Sequence, residues 1–231
     1  MKTIGLLGGM SWESTTGYYR AINEGVRARL GGLHSAKIVM HSVDFAPLEK
    51  LQHAGDWDGA ATMLCEAALS VQHGGADFLL ICTNTMHKVA APIEDAIDIP
   101  LLHIADATAE ELVKHGITRV GLLGTGFTMA EDFYKGRIRD KYGIEVLVPD
   151  ENDRSLVHRV IYDELCLGKV EDASRQEFLR IIADLSAQSA EAVILGCTEI
   201  GMLVGQSDTA VRLFDTTAIH SAKAVDWALS D

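Results

Sequence analysis

Prolines and cysteines are scarce, four of each in 231 residues, and each shortage excludes something. Cys65, Cys82, Cys166 and Cys197 show no CxxC spacing and lie in stretches that read as helix or strand, which argues against a disulfide framework and against a zinc site. With so little proline and no Ser/Gly-rich linker, composition marks no domain boundary. Basic residues are also few, 20 against 33 acidic ones, for a net charge of −13. A nucleic-acid partner would require clustered Lys and Arg to release counterions, so none is expected. A small anionic ligand is still allowed, because local amides and helix ends can hold it. No apolar run reaches the roughly 18 residues of a membrane span. After MKTIGLLGGM the polar Ser11, Trp12 and Glu13 follow too soon for a signal peptide, so a soluble, cytoplasmic chain with no membrane partner is expected. GLLGGM lacks the GxGxxG spacing of a dinucleotide site, and no GK[ST] of a P-loop is present.

What is present is a hydrophobic content of 48%, ample for a buried core, arranged in short apolar runs. KTIGLLG is followed by a helix-like stretch from Ser14 to Leu30, then by KIVMHSV, a helix around Gly59 to Gln72, and FLLIC. The alternation resumes with IPLLHI, RVGLLG, IEVLVP, AVILGC and VRLFD. Runs of this length between helical segments indicate parallel strands covered on both faces, hence an α/β fold.

An internal repeat supplies the domain boundary. IGLLG at 4 matches VGLLG at 120, ADFLLICTNT at 76 matches AEAVILGCTE at 190, and IADATA at 104 matches LFDTTA at 213, with offsets of 116, 114 and 109. Three matches in one order imply two similar α/β domains, residues 1–105 plus 216–231 and residues 106–215. The middle offset pairs Thr83, not Cys82, with Cys197. Strand alternation agrees: if Thr83 faces a ligand, Cys82 faces the covering helices.

Ligands of open parallel sheets bind beyond the carboxyl ends of the strands. Four stretches fall there: Gly8 to Ser11, Thr83-Asn84-Thr85, Gly124-Thr125-Gly126 and Cys197-Thr198-Glu199. The amides after Thr83 and Cys197 suit an α-carboxylate, with the hydroxyls of Thr85 and Thr198 as helix caps. A helix start after Cys197 would favour its thiolate and lower its pKa. His87, four residues after Thr83, is a candidate proton relay or a structural ligand of a helix end. Met10 and Gln52 are candidates to line the crevice from flanking loops. Cys65 and Cys166 fall at helical spacing among apolar neighbours and read as core.

GLLGGMSWEST near the start, NTMH after the middle strand and GCTE near the end together resemble the aspartate/glutamate racemase family, over the whole length of the chain. The resemblance implies two similar α/β domains related by a pseudo-twofold, an active site between them, no cofactor, no metal, and a homodimer. It also implies a pair of cysteines flanking the substrate Cα, of which Cys197 is the second, the one that serves the L antipode. The first cysteine's place, directly before NTMH, holds Thr83, so the chain is closest to members with Thr there. The implied substrate set is L-aspartate and L-glutamate or a broader group of L-amino acids including homoserine. Relatives specific for acids carry basic residues where this chain has Leu48 or Glu49 and Cys166; Lys50 and Lys169 are displaced, so the side-chain preference stays open.

Inverting an α-carbon means removing a proton from one face and returning one to the other, which calls for two groups. A thiol, with a pKa of about 8.5, can serve as acid or base near neutrality. A hydroxyl near the roughly 15.7 of bulk water lies about 7 units higher, roughly 9 to 10 kcal/mol away. Thr83 is therefore expected to be a weak donor unless Asn84, Thr85, His87 or a water resupplies its proton. Two alternatives stand beside a racemase of amino acids: another isomerase of the superfamily, such as a hydantoin racemase or maleate isomerase, and a silent amino-acid-binding protein.

Overall fold

The structure, a computed structural model, describes residues 1–230. The first half of the chain runs β1 (Ile4–Gly8), α1 (Trp12–Leu30), β2 (Ile38–Ser42), α2 (Phe45–Ala54), α3 (Trp57–His73), β3 (Phe78–Ile81), a 3₁₀ turn (Thr85–Val89) and α4 (Ala90–Ala96). It continues with α5 (Ile104–Lys114), β4 (Arg119–Gly124), α6 (Gly126–Ala130), α7 (Asp132–Tyr142), β5 (Glu145–Leu147) and α8 (Glu151–Asp163). A 3₁₀ turn (Leu165–Leu167), α9 (Asp172–Ala187), β6 (Ala192–Gly196), α10 (Ile200–Leu203), a last 3₁₀ turn (Gln206–Asp208), β7 (Arg212–Asp215) and α11 (Thr216–Leu229) complete it. The chain forms two compact units, Met1–Ile104 with the residues from His220 on, and Ala105–Ile219.

In the first unit β1 is central, parallel to β2 on one side and β3 on the other, with Leu6 opposite Met40 and Leu80. Its five residues are all buried, as an apolar run covered on both faces must be. The pleat sorts the side chains: Ile4, Leu6, Phe78, Leu80 and Cys82 pack with Tyr18, Ile22 and Val26 of α1 and Ala224 and Val225 of α11. Leu7, Leu79 and Ile81 pack instead with Leu48, Leu64, Val71 and Ile93 from α2, α3 and α4. Each such fully buried side chain contributes roughly 1.5–3 kcal/mol, so both faces are needed to hold the sheet.

In the second unit the strand order is β5-β4-β6-β7, all parallel, with Leu122 opposite Ile194 and Ile194 opposite Phe214. The repeated motifs thus occupy equivalent strands: β1 with β4, β3 with β6. Helix ends follow local chemistry. Asp150 caps α8 by accepting from the Asp153 amide at 3.0 Å, and Asp215 accepts from the Thr217 amide at 2.8 Å at the start of α11.

Two sequence expectations need correction. IPLLHI is not a strand: Leu101 makes one parallel bridge to Leu79, flanked by the bonds Leu79 N to Pro100 O and Leu102 N to Leu79 O, before α5 begins. It stands where β7 stands in the second sheet, but it is too short to propagate a ladder. Gln52 lies not on a flanking loop but on α2, which is capped by Asp44 and has Pro47 in its first turn, where a missing N–H costs nothing.

Candidate active site

The loop after β1 is fixed by its own side chains. Gly9 has φ +92°, and a Cβ there would collide with the Val43 carbonyl, so glycine is required. Its amide donates to Thr15 Oγ1 at 2.9 Å, and that hydroxyl donates to the Ser11 carbonyl at 2.8 Å. Ser11 caps α1, accepting from the Ser14 amide at 3.3 Å. Met10 is buried within this loop. The role of Thr15 escaped the sequence reading; a threonine four residues after Ser11, behind a Gly-Gly pair, was the available signal.

At the end of β3 the two neighbours part. Cys82 is 0% exposed and joins the α1 and α11 face of the core, where desolvation pushes its thiol pKa well up. Thr83 is 9% exposed. Its carbonyl accepts from His87 Nδ1 at 2.8 Å, while its hydroxyl has no hydrogen-bond partner among the described residues. His87 Nε2 in turn accepts from the Ile104 amide at 3.2 Å, which places the ring proton on Nδ1. Both nitrogens of His87 are therefore engaged with backbone, and the ring pins the loop after Thr83 to the start of α5. Serving as a relay would require breaking one of these bonds. Asn84 and Thr85 are buried beside it; Thr85 begins the 3₁₀ turn, and no side chain caps that turn.

In the second unit Gly124 and Gly196 lie side by side at the ends of β4 and β6, and a Cβ on Gly124 would sit 2.8 Å from the Gly196 carbonyl oxygen. Thr125 caps α6 through Thr128, accepting from its amide at 3.3 Å. After β6, Cys197 Sγ donates to Glu199 Oε2 at 2.9 Å, and Thr198 Oγ1 donates to the same oxygen at 2.8 Å. Thr198 is thus not a cap, and α10 has none. The thiol pKa is raised, not lowered: burial disfavours the thiolate most, followed by the Glu199 carboxylate and nearby Cys166, and the Glu199 amide opposes them. The physical reason is length. α10 has only four residues, too few for a helix dipole that outweighs desolvation and an adjacent carboxylate.

The remaining candidates sort by burial. Gln52, on α2, is 2% exposed and its Oε1 has no hydrogen-bond partner, whereas Lys50 and Lys169 are exposed. Cys65 and Cys166 are only half-buried, so the core reading of both was too strong; Cys65 Sγ donates to the Pro92 carbonyl at 3.3 Å. Among the described residues no group of three or more His, Cys, Asp or Glu is arranged to hold a metal, and no helix is long and apolar enough to cross a membrane.

The family profile described as Asp/Glu/Hydantoin racemase matches residues 7–224. The chain belongs to this racemase family. Its fold agrees over its full length with a crystal structure described as a proposed Asp/Glu racemase from Yersinia pestis, at 56% identity and a TM-score of 0.92, each chain being covered completely. An aspartate racemase homologue from Pyrococcus horikoshii OT3 matches at 32% identity and a TM-score of 0.85, again over the whole of both chains. The broad specificity amino-acid racemase RacX of Bacillus subtilis is 22% identical over 175 residues, 76% of this chain and 75% of that one. The α/β units with parallel sheets and flanking helices are those of the Asp/Glu racemase structures.

Proposed function

We propose that this racemase-family chain is a cofactor-independent racemase of L-amino acids, acting on L-aspartate and L-glutamate or on a broader set that includes homoserine. Cys197 and Thr83 are the proton-handling groups for the two faces of the α-carbon. The observation that carries this reading is the Cys197–Glu199 contact, in which the thiol proton already points at a carboxylate oxygen. Transfer of that proton to Glu199 leaves a thiolate. The thiolate takes the α-hydrogen, the electron pair is held on the substrate carboxylate as an enediolate, and a proton returned from the other face completes inversion. A pKa raised by burial keeps the thiol protonated until the carboxylate acts, and it makes the thiolate, once formed, a stronger base.

Thr83 is assigned the opposite face as a weak donor. Its hydroxyl faces no side-chain partner that could replace a lost proton. Asn84, Thr85, Thr125 and Thr198 supply polar atoms to the substrate carboxylate, and Met10 an apolar contact to the substrate. Gln52 contacts the substrate side chain: its buried, unsatisfied carboxamide oxygen needs a donor such as the homoserine hydroxyl, and the same carboxamide turned over presents its NH₂ to a distal carboxylate.

The test is exchange of the substrate α-hydrogen in D₂O, followed by NMR across L-aspartate, L-glutamate and L-homoserine. Exchange that disappears in Cys197→Ala supports the reading. No exchange from any of the three by the wild type rules it out and leaves a ligand-binding protein.

A further inference from the structure

A cavity of about 390 Å³ lies entirely within the Ala105–Ile219 unit, between α6 and the first half of α8. Its volume falls in the lower part of the range for small-molecule sites, about 300 to 1,000 Å³. The walls come from Gly126, Phe127, Ala130, Glu151, Arg154, Ser155 and His158. None of these residues belongs to the proton-handling group. Gly126 follows Thr125 just after β4, so the cavity borders that strand end, and its walls include neither Thr83 nor Cys197.

Three features make it a built site rather than a gap in packing. His158 is locked: its Nδ1 accepts from the Gly126 amide at 3.0 Å, which puts the ring proton on Nε2, and its ring stands at 78° to Phe127 and 4.8 Å from Tyr162. Arg154 is unpaired. Its Nε is buried without an acceptor, and among the described residues it makes no ion pair. A buried guanidinium N–H without an acceptor is costly, and a carboxylate is its natural complement in geometry and charge. Glu151 lines the same cavity three residues before Arg154, at helical spacing, yet the two side chains form no ion pair. That leaves one cationic and one anionic group facing one volume, with Phe127 and Ala130 as apolar wall.

We propose that this cavity binds an α-amino acid as a zwitterion, with its carboxylate on Arg154, its ammonium on Glu151 and an apolar or aromatic side chain against Phe127 and Ala130. The Glu151 carboxylate repels a second negative charge, so dicarboxylates and phosphate are disfavoured. The site therefore prefers amino acids with neutral side chains whatever the substrate of the catalytic residues.

The experiment is a titration of the intact protein, with amide shifts read by ¹H–¹⁵N NMR and L-phenylalanine, benzoate, phenethylamine, succinate and inorganic phosphate as probes. L-Phenylalanine is expected to perturb Gly126, Phe127 and residues 154–158 saturably, with benzoate and phenethylamine weaker because each has lost one charge. Arg154→Gln should weaken L-phenylalanine by at least about tenfold, and α-proton exchange from L-aspartate, L-glutamate or L-homoserine should persist. If that variant does not fold, Arg154→Lys keeps the charge but loses the Nε–H and is expected to bind more weakly than wild type. No saturable shift at these residues, equal affinity in the folded Arg154 variant, or succinate or phosphate binding as tightly as L-phenylalanine would each overturn the proposal.

Discussion

The Cys197 thiol and the Glu199 carboxylate, two residues apart, are joined by a 2.9 Å hydrogen bond in which the sulfur is the donor. The same residue acts on the thiol in opposite senses. Its carboxylate charge disfavours the thiolate, while its backbone amide, donating to sulfur, favours it. Burial adds to the first effect and exceeds both.

Glu199→Gln separates these effects. Removing the negative charge should let the thiol titrate at lower pH than in wild type, because a like charge no longer opposes the thiolate. α-Proton exchange near neutral pH should nevertheless fall, by about 10² to 10⁴, because the group that receives the thiol proton is gone. Thiolate absorbance and exchange rate, each followed against pH, check the two halves. A variant whose exchange matches wild type would remove Glu199 from the mechanism.

Cys82 and Cys197 should respond to truncation in opposite ways. Cys82 belongs to the core between β3, α1 and α11, so Cys82→Ala should cost stability, roughly 1–2 kcal/mol, and leave exchange largely intact. Cys197→Ser should abolish exchange with little loss of stability, since a hydroxyl can keep the Glu199 bond. Denaturation curves and exchange measured on the same preparations give both numbers; the reverse pattern would exchange the roles of the two thiols.

How much of this was legible in the sequence varies with the kind of force involved. β1, β4 and β6 are buried on both faces, and that demand writes an unbroken apolar run. IPLLHI writes the same pattern but makes a single bridge, since apolar character records burial and not pairing. Gln52 was expected on a loop, whereas it belongs to α2, whose first turn accommodates Pro47. The separation of Cys82 from Thr83 follows from the pleat, which sequence reports directly. The state of Cys197 does not, because it depends on where the Glu199 side chain turns and on α10 ending after four residues.

His220 should make the protein acid-sensitive. It is fully buried, accepts from the Tyr18 hydroxyl on Nδ1 at 2.9 Å and donates from Nε2 to the Leu102 carbonyl at 2.8 Å, so it is neutral in the folded state. Burial lowers its pKa to about 4, and the Leu102 carbonyl only partly offsets this. The unfolded chain takes up a proton near pH 6.5, earlier than the folded one, so the stabilisation is complete above that pH and is lost as pH falls towards 4. The expected loss over this window is about 3 kcal/mol. Urea denaturation of wild type and His220→Gln across the window checks it: the variant should start less stable but show a flatter dependence on pH.

Thr83 supplies the sharpest test, because its hydroxyl has no partner among the described residues to return a proton. The two antipodes of a free amino acid are equal in energy in achiral solvent, so kcat/KM must be the same in both directions whatever residues the site holds. A one-way racemase is excluded. The asymmetry can appear only in the separate kcat and KM values and in how often the intermediate is reprotonated from the face it came from. If Thr83 donates poorly, Cys197 returns a solvent-derived proton to the same face, and an L substrate in D₂O exchanges its α-hydrogen faster than it inverts. Thr83→Cys places a thiol, with a pKa of about 8.5, where the hydroxyl stood, and should raise inversion relative to exchange and improve use of the D antipode. Exchange by NMR and inversion by circular dichroism, measured on one sample, give the ratio. Equal rates in the wild type, unchanged by the substitution, would show that Thr83 is an adequate acid or that another group holds its role.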